Sequence, residues 1–385
     1  MRVVAVVNEK ARRGGPRVAR QFSAALPAAE VILTRSLDEV ERLAKDFASS
    51  PPDLVLGAGG DGTAVALLNS VRNARTSLAA RGGRPHSGSL LRLGLVKLGT
   101  GNGLANVVGA PSVSRSLSLL RRAMERGGAW SSDRSARVTH RGLPLRRFDL
   151  VEVEGCVAHF AGTGWDAELI DDFHAQKTEP SVLPPRMRYG LAGYLNGLMT
   201  RAVPRNLRLP RVEVEVHNTG KVALGVDARK QPFDIAGTGA GQAHSMLYRG
   251  PVSVCGVGTS SEWGFGFKAF PFADLVPGRF NLRMFVGTTG EALRRVPLLW
   301  SGKHPLDKML TWLLTAAEVR LSRQVPFQIG GDLLGHRDVI QYAISSDRVD
   351  VLDWAALSAE LDPVPRGFLA HATQPLEASL RTMVR

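Results

Sequence analysis

Two glycine-rich segments contain the residues most able to do chemistry. The first is Gly57-Ala58-Gly59-Gly60-Asp61-Gly62-Thr63, and the second is Leu98-Gly99-Thr100-Gly101-Asn102-Gly103. Glycine lets the backbone approach a phosphate closely, and the free N–H groups of such a loop and of the following helix supply positive partial charge. Two loops of this composition therefore predict a phosphate-binding site.

Asp61 is the unusual residue of the first loop, because it is an acid in a segment that otherwise attracts anions. A carboxylate beside a phosphate is repelled unless it has a specific role. Three roles are open from the sequence: coordinating magnesium, accepting a hydroxyl proton, or ordering the loop through an Asx-type turn.

The residues around the loops help to distinguish a dinucleotide site from other phosphate-binding sites. The spacing Gly57-x-Gly59-x-x-Gly62 matches the dinucleotide fingerprint, which also needs an acid about 20 residues later for the ribose. No Asp or Glu occurs between Gly62 and Met124, so an NAD site lacks that ligand, although Arg81 or Arg84 could serve NADP. Gly302-Lys303 is followed by histidine, which excludes a Walker A loop there.

Alternating strands and helices must position these loops. Apolar runs predict strands at residues 3–7, 31–33, 53–56 and 93–96, and the segments between and after them predict helices at 18–26, 36–47, 64–78 and 111–127. This βαβα order predicts a mainly parallel sheet with helices on both faces. Both glycine loops then lie at the carboxyl edge of the sheet, where ligands bind in such folds.

The pattern changes after about residue 135. Short alternating runs punctuated by Gly and Pro predict antiparallel strands at 149–153, 211–216, 221–226, 280–286, 318–321 and 340–344, with an inserted helix at 189–200. We therefore predict an α/β domain over 1–135, a mainly antiparallel β-sandwich domain over 136–350, and a C-terminal tail or cap over 351–385.

Composition restricts the partners of this 385-residue chain. Its net charge of +14 favours nucleotides, acidic lipid surfaces or nucleic acid. Nine basic residues and no acid lie between Gly62 and Met124, a segment that begins in the first glycine loop and includes the second. Only the net charge favours a nucleic-acid partner, because the sequence contains no recognisable nucleic-acid-binding module. We therefore do not predict nucleic acid as a partner.

Cysteine count and hydropathy restrict the class of protein further. The two cysteines, Cys156 and Cys255, support neither a disulfide framework nor a thiolate metal site. No apolar run reaches the roughly 18–20 residues of a membrane span, and the N-terminus has no signal-peptide core. We expect a cytoplasmic protein, peripheral to the membrane if it acts on lipids; the oligomeric state stays open.

Gly59-Gly60-Asp61-Gly62-Thr63 resembles the signature of the diacylglycerol kinase catalytic family, which includes bacterial lipid kinases, sphingosine kinases and ceramide kinases. Its wider superfamily includes NAD kinases and phosphofructokinases. Further segments resemble the family in the same order from about residue 3 to residue 345: Leu98 to Ala105, Gly164-Trp165-Asp166-Ala167, Tyr189 to Tyr194, Phe270 to Ala273 with Gly278, and Gly331-Asp332.

The resemblance implies an ATP- and magnesium-dependent lipid kinase. The α/β domain would bind ATP, the β-sandwich domain would bind the lipid at a membrane surface with anionic headgroups, and a hydroxyl of diacylglycerol or a related lipid would attack the γ-phosphate. The acid that receives the hydroxyl proton would be Asp332, as in bacterial members, or Asp61, as in sphingosine-kinase-like members. The implied nucleotide-binding residues are Asn8, Thr34, Gly59, Gly60, Asp61, Gly62, Thr63, Gly99, Thr100 and Asn102.

Several family carboxylates are absent. Ala66, Gly103 and Gly330 stand where the family has acids, Pro277 replaces the aspartate used for a structural magnesium, and Glu9 replaces a loop proline. No residue is therefore assigned to a metal. Three alternatives follow: a sphingoid-base or ceramide kinase, a non-catalytic nucleotide- or lipid-binding relative, and an NAD kinase-like enzyme.

Two further patterns admit a structural and a functional interpretation. Five aromatic residues between Trp263 and Phe272 are spaced like a strand face, which favours core packing over an acyl-chain pocket. Arginines flank an apolar helix and form either a solvated surface or a basic membrane-docking face: Arg186, Arg188, Arg201, Arg205, Arg208 and Arg211.

Overall fold

The computed structural model describes residues 1–126, 138–178, 193, 196–235 and 241–362. Arg186, Arg188, most of the 189–194 segment and residues 363–385 lie outside these ranges. The chain begins with a parallel sheet, as its apolar runs predict. Its four strands are β1 (Val3–Asn8), β2 (Glu30–Thr34), β3 (Leu54–Gly59) and β4 (Arg92–Lys97).

The strand order of this sheet is β2-β1-β3-β4, with every pair parallel. The chain moves from β1 to one side and then returns to the other, so the order reverses between β1 and β3. Both strands are almost wholly buried, as expected for strands covered by helices on both faces. Such a reversal leaves a crevice at the carboxyl edge.

Five helices accompany these strands: α1 (Pro16–Ala25), α2 (Leu37–Ser49), α3 (Asp61–Ala80), α4 (Gly103–Val107) and α5 (Val113–Glu125). The Ser36 side chain accepts a hydrogen bond from the Glu39 amide and caps α2, as the spacing predicts. Helix α3 begins at Asp61, three residues earlier than predicted, because Gly60 occupies its N-cap position. The first glycine loop thus forms the first turn of a helix, where backbone N–H groups lack intrahelical acceptors.

The second half of the chain is mainly antiparallel. Its elements up to Asp234 are β5 (Val138–His140), β6 (Leu143–Val153), β7 (Cys156–Ala158), β8 (Phe160–Gly164), α6 (Trp165–Thr178), a π-helical turn (Leu198–Ala202), α7 (Val203–Arg208), β9 (Val212–Asn218), β10 (Leu224–Val226) and β11 (Pro232–Asp234). Those after it are β12 (Met246–Val252), β13 (Val254–Gly258), β14 (Phe280–Phe285), α8 (Thr289–Trp300), β15 (Met309–Leu314), β16 (Ala316–Ile329), β17 (Asp332–Leu352) and α9 (Trp354–Leu361).

Strand β8 lies at the centre of this region, paired with β13 on one side and with the end of β16 on the other. Strands β14 and β15 extend the sheet beyond β13, and β9 and β12 extend it beyond β16. A second hydrophobic core fills this region around Phe280, Phe327 and Tyr342. The predicted architecture, an α/β parallel sheet followed by a mainly antiparallel region, is confirmed.

Strand β17 joins the two regions. It begins at Asp332, pairs with β16 and β6, and ends parallel to β4 at Asp350 and Val351. Helix α9 then covers the first core, where Trp354 is only 1% exposed. Residues 351–362, which the sequence assigns to a tail or cap, therefore pack within the first core; the three domain boundaries stay predictions.

None of the helices among the described residues has the length and apolar character that a membrane crossing requires.

Candidate active site

The predicted nucleotide residues gather at the carboxyl edge of the parallel sheet. Asn8 ends β1 opposite Thr34, which ends β2. The Asn8 side-chain amide donates a 2.9 Å hydrogen bond to the Thr63 hydroxyl on α3. This bond spans the point where the strand order reverses, so the first strand and the first glycine loop face one crevice.

The two glycine loops touch each other. The amide of Gly99 donates to the carbonyl of Gly59 at 2.9 Å. A Cβ on Gly99 would lie 2.4 Å from the Cα of Gly60, so only glycine allows this approach. The pair of loops predicted from composition is therefore one continuous backbone surface.

Asp61 connects the loops through its side chain. Its two carboxylate oxygens accept hydrogen bonds from the amides of Gly103 and Leu104, at 2.9 and 3.2 Å. These amides begin the short helix α4, so Asp61 acts as its cap from a neighbouring element. Of the three roles that the sequence leaves open for Asp61, the structure shows the ordering of a loop. Asp61 orders the second glycine loop through these two hydrogen bonds.

Gly103 shows why one family acid is absent. A Cβ there would lie 2.9 Å from the carbonyl oxygen of Glu262 and 3.0 Å from the amide nitrogen of Gly264. Both atoms belong to backbone, which cannot move aside cheaply. An aspartate at 103 would therefore require the backbone at residues 262–264 to shift, and Asp61 supplies the carboxylate that meets the start of α4.

Burial raises the pKa of Asp61 to about 6, although the hydrogen bonds that its carboxylate accepts from backbone amides oppose this shift. His159 Nε2 lies 3.8 Å from Asp61 Oδ1, which is too long for a hydrogen bond. Burial lowers the pKa of His159 to about 3, so its ring is neutral at physiological pH. The charge of Asp61 is therefore balanced by backbone dipoles and not by an imidazolium.

Asp332, the second predicted catalytic acid, lies at the same place. It follows the Gly330-Gly331 turn at the start of β17, and its side chain is exposed. A Cβ on Gly62 would lie 2.8 Å from Asp332 Oδ2, so this carboxylate sits directly over the first glycine loop. The fold thus brings together two acids that are 271 positions apart in the sequence.

The remaining predicted residues differ in accessibility. Thr34 is 3% exposed and its hydroxyl donates to the Val7 carbonyl, so it packs between strands. Asn102 is buried in a left-handed conformation with φ 56°, and its side-chain amide donates to the Gly99 carbonyl. Thr100 lines the cavity described below. The roles implied for these residues stay predictions.

Asp166 is a site residue that the sequence did not single out, although its Gly164-Trp165-Asp166-Ala167 segment resembles the family. Gln328 Nε2 donates to Asp166 Oδ2 at 3.0 Å, while Oδ1 is buried and has no hydrogen-bond partner in the described chain. Gln328 also accepts from the Gly331 amide beside Asp332. Gln328 itself carries no sequence signal, because its role depends on pairing between distant strands.

Replacing Asp166 with asparagine is expected to increase the free energy of unfolding by an amount that grows from about pH 4 to about pH 7. Burial raises the pKa of Asp166 from 3.8 to about 7. The folded chain keeps this proton to a higher pH than the unfolded chain does, so ionisation of the buried carboxylate costs stability as pH rises.

Urea unfolding of both proteins across this range measures the effect. The difference between them isolates Asp166 from carboxyls such as Glu154, whose pKa an Arg337 hydrogen bond lowers and whose contribution has the opposite sign. Asp38→Asn, at an exposed position on α2, is the control. A difference that does not change with pH would contradict the assignment.

A deep cavity of about 410 Å³ adjoins the glycine loops. At one end it is lined by Gly60, Asp61, Gly62, Thr100 and Gly101. Most of its wall is apolar: Phe160, Trp165, Leu169, Ile170, Leu198, Val254, Trp263, Phe265, Phe267, Ala269, Phe270, Phe285, Ala292, Val296, Leu299, Trp300 and Met309. A phosphate-type surface and an apolar chamber therefore share one opening.

The aromatic segment 263–272 differs from its sequence interpretation. It forms turns and loops, not a strand face. Trp263, Phe265, Phe267 and Phe270 line the cavity, whereas Phe272 packs in a separate cluster with Val226 and Leu313. The core packing predicted for this segment is confirmed for Phe270, which is buried in a small cluster against which Trp263 and Phe267 pack, and the same rings also line the cavity.

Among the described residues, no group of three or more His, Cys, Asp and Glu side chains is arranged to hold a metal ion. Beside Pro277, the Gly278 amide donates to Asp149 Oδ2 at 2.6 Å, and Arg348 Nε donates to Asp149 Oδ1. A carboxylate and an arginine thus hold this loop. Mg²⁺ in kinases binds through one or two carboxylates and the substrate phosphates. The exposed carboxylate of Asp332 suits that chemistry, whereas both oxygens of Asp61 already accept backbone amides.

The N-terminal third of the chain is similar to a known family of protein domains. Residues 2–127 match the model of the diacylglycerol kinase catalytic domain. The resemblance to this family is confirmed. The matched segment holds β1 to β4, both glycine loops and Asp61. No curated protein sequence matches the chain significantly.

Solved structures show the same fold over most of the chain. A diacylglycerol kinase from Bacillus anthracis str. Sterne aligns with a TM-score of 0.53 at 14% identity, covering 90% of this chain and 96% of that one. A provisionally assigned diacylglycerol kinase from the same strain aligns with a TM-score of 0.56 at 15% identity, with the same coverage. At these identities the likeness concerns the fold alone.

Proposed function

We propose that the protein transfers the γ-phosphate of ATP to a hydroxyl of diacylglycerol or a related lipid. The observation that carries this proposal is the apolar cavity that opens on the two glycine loops. Catalysis between a charged nucleotide and a lipid requires a polar surface and a hydrophobic chamber at one point. The confirmed family resemblance supports phosphate transfer at that point.

The first turn of α3 supplies the phosphate contacts in this proposal. The backbone amides at Asp61 and Gly62 face no intrahelical acceptor, and the positive end of the helix dipole adds to their attraction. Asp61 holds the second loop against the first, so that the amides of both loops meet the phosphates. Mg²⁺, when bound with ATP, neutralises charge on the phosphate oxygens.

The proton of the lipid hydroxyl needs an acceptor as the new oxygen–phosphorus bond forms and the bond to the ADP oxygen breaks. Asp332 is exposed over Gly62 and is the carboxylate best placed to receive it. Asp166 lines the same cavity, and because its Oδ1 is buried, its carboxyl acts through Gln328, which also accepts from the Gly331 amide beside Asp332. Phosphate transfer depends on such positioning more than on covalent chemistry.

The lipid would enter from a membrane surface across the 198–208 segment. Leu198 lines the cavity, while Met199, Leu207 and Leu209 are exposed by 58%, 66% and 48%. Arg201, Arg205 and Arg208 lie on the same segment, and Arg205 pairs with Asp172 at 2.6 Å. Exposed apolar side chains beside arginines suit a bilayer that contains anionic lipids.

Transfer of labelled γ-phosphate from ATP tests the proposal. The acceptors are diacylglycerol, sphingosine, ceramide and NAD⁺, with each lipid presented in phosphatidylcholine vesicles with or without an anionic phospholipid. We expect labelled lipid product and a higher rate on the anionic vesicles. Folded protein that labels no lipid would overturn the kinase proposal, and label on NAD⁺ alone would indicate the NAD kinase-like alternative.

A further inference from the structure

A row of paired residues crosses the sheet beside the cavity, and two of its members, Gln328 and Arg283, line the cavity. Gln328 on β16 pairs with Gly162 on β8, which pairs with Gly256 on β13, which pairs with Arg283 on β14, which pairs with Thr311 on β15. Directly paired residues of adjacent antiparallel strands point to the same face of a sheet. Polar side chains therefore stand at both ends of a row whose middle is glycine.

The two glycines leave space that other side chains use. A Cβ on Gly162 would lie 2.7 Å from Asp166 Oδ2, and one on Gly256 would lie 3.1 Å from the rings of Trp263 and Phe270. Arg283 is two strands from Gly162, so their backbones are about 10 Å apart. The cavity is thus polar near Asp166, aromatic in the middle, and cationic at Arg283.

Arg283 is unusual for a residue in an apolar chamber. It is 4% exposed, and its guanidinium donates to three neutral acceptors: the hydroxyl of Thr311 and the carbonyls of Ala269 and Lys303. Burial lowers its pKa to about 10, which leaves it charged at neutral pH. A buried charge that meets only neutral partners is costly unless a counter-charge arrives.

We propose that Arg283 binds an oxyanion of the lipid that occupies the cavity, so that the preferred ligand among the related lipids is an acidic one, in place of the uncharged diacylglycerol. This inference rests on the proposed function, because it takes the cavity to be the lipid site. A planar guanidinium presents paired N–H donors that match a carboxylate or a phosphate ester. The aromatic rings between Asp166 and Arg283 hold the apolar part of the same molecule.

Binding without ATP tests this inference separately from catalysis. Trp165, Trp263 and Trp300 line the cavity and report occupancy by fluorescence. The probes are oleate and oleyl phosphate, each below its critical micelle concentration, and oleyl alcohol, below its solubility limit. We expect both anions to bind at least about tenfold more tightly than the alcohol, since charge-assisted hydrogen bonds are worth that much. The tighter of the two anions identifies the headgroup chemistry.

Variants of Arg283 separate recognition from packing. Arg283→Met should reduce the preference for the anions to about onefold, and Arg283→Lys should restore part of it by restoring the charge. Arg279→Met is the matched control, because Arg279 lies on the approach to the same strand, donates to the Val222 and Leu313 carbonyls, and is not among the residues lining the cavity.

The outcomes distinguish this inference from the proposed function. Equal binding of oleate and oleyl alcohol by the unmodified protein would overturn the role of Arg283 and leave the lipid cavity standing. Binding of none of the three probes would overturn both. If Arg283→Met does not fold, the preference of the unmodified protein and that of Arg283→Lys still decide the question.

Discussion

Replacing Asp61 with asparagine is expected to lower phosphate transfer by about 100-fold or more while the fold remains. The carboxylate accepts the amides of both Gly103 and Leu104. Asparagine keeps one oxygen acceptor but sets its own NH₂ group against the other amide. The start of α4 is then held less firmly against the first loop, although the Gly99–Gly59 backbone hydrogen bond remains, and the loop amides converge less well on one phosphate position.

Turnover with a saturating lipid acceptor, together with thermal unfolding, measures this effect. Asp38→Asn is the matched control, since Asp38 also lies in the first turn of a helix of the same sheet, is exposed, and lies outside the loops. Unchanged turnover in the Asp61 variant would refute its role. A large loss of stability would instead assign the residue to folding.

Filling the cavity by Ala292→Trp is expected to raise the KM for lipid by about tenfold or more without weakening ATP binding. Ala292 is 3% exposed and lines the chamber from α8. The cavity of about 410 Å³ has room for an indole ring, so the substitution occupies lipid space rather than forcing the helix out. The glycine loops lie on another wall and remain free.

Initial rates over a range of lipid concentrations and calorimetric titration with ATP separate the two effects. Arg294→Trp places the same ring on an exposed position of the same helix and serves as the control. An unchanged KM for lipid in Ala292→Trp would mean that the acceptor binds elsewhere. A loss of ATP binding would mean that the helix had shifted.

The sequence predicts the parallel sheet and its loops well, because local signals determine them. Continuous β-branched runs specify buried strands, glycines specify the close approach of backbones, and Ser36 with Glu39 specifies a helix start. Asp61 is recognisable for the same reason, as a charge that is out of place in a glycine loop. The hydrogen-bond donors to Asp61 cannot be predicted in this way, because the amides of Gly103 and Leu104 reach its carboxylate only when the two βα units lie side by side.

The lipid side of the site depends on long-range pairing and is largely invisible in the sequence. Gln328 reaches Asp166 because β16 and β8 pair, although 162 positions separate the residues. Arg283 lies in a mainly apolar strand that also contains Asn281, which is a weak signal by itself. Its meaning comes from the pairing of β14 with β13, because the glycines at 162 and 256 leave room for Asp166 and for the rings of Trp263 and Phe270 beside it. The aromatic segment likewise needs its turns before a chamber can be recognised.

Strand β17 makes the N-terminal sheet dependent on the far end of the chain. It completes the edge beside β4, and α9 after it fills the first core with Trp354 and Leu357. A fragment ending at residue 127 would expose an unpaired strand edge and the apolar surface that these residues cover, which favours aggregation. We therefore expect the N-terminal sheet and its two glycine loops to depend for their stability on residues more than 200 positions further along the chain.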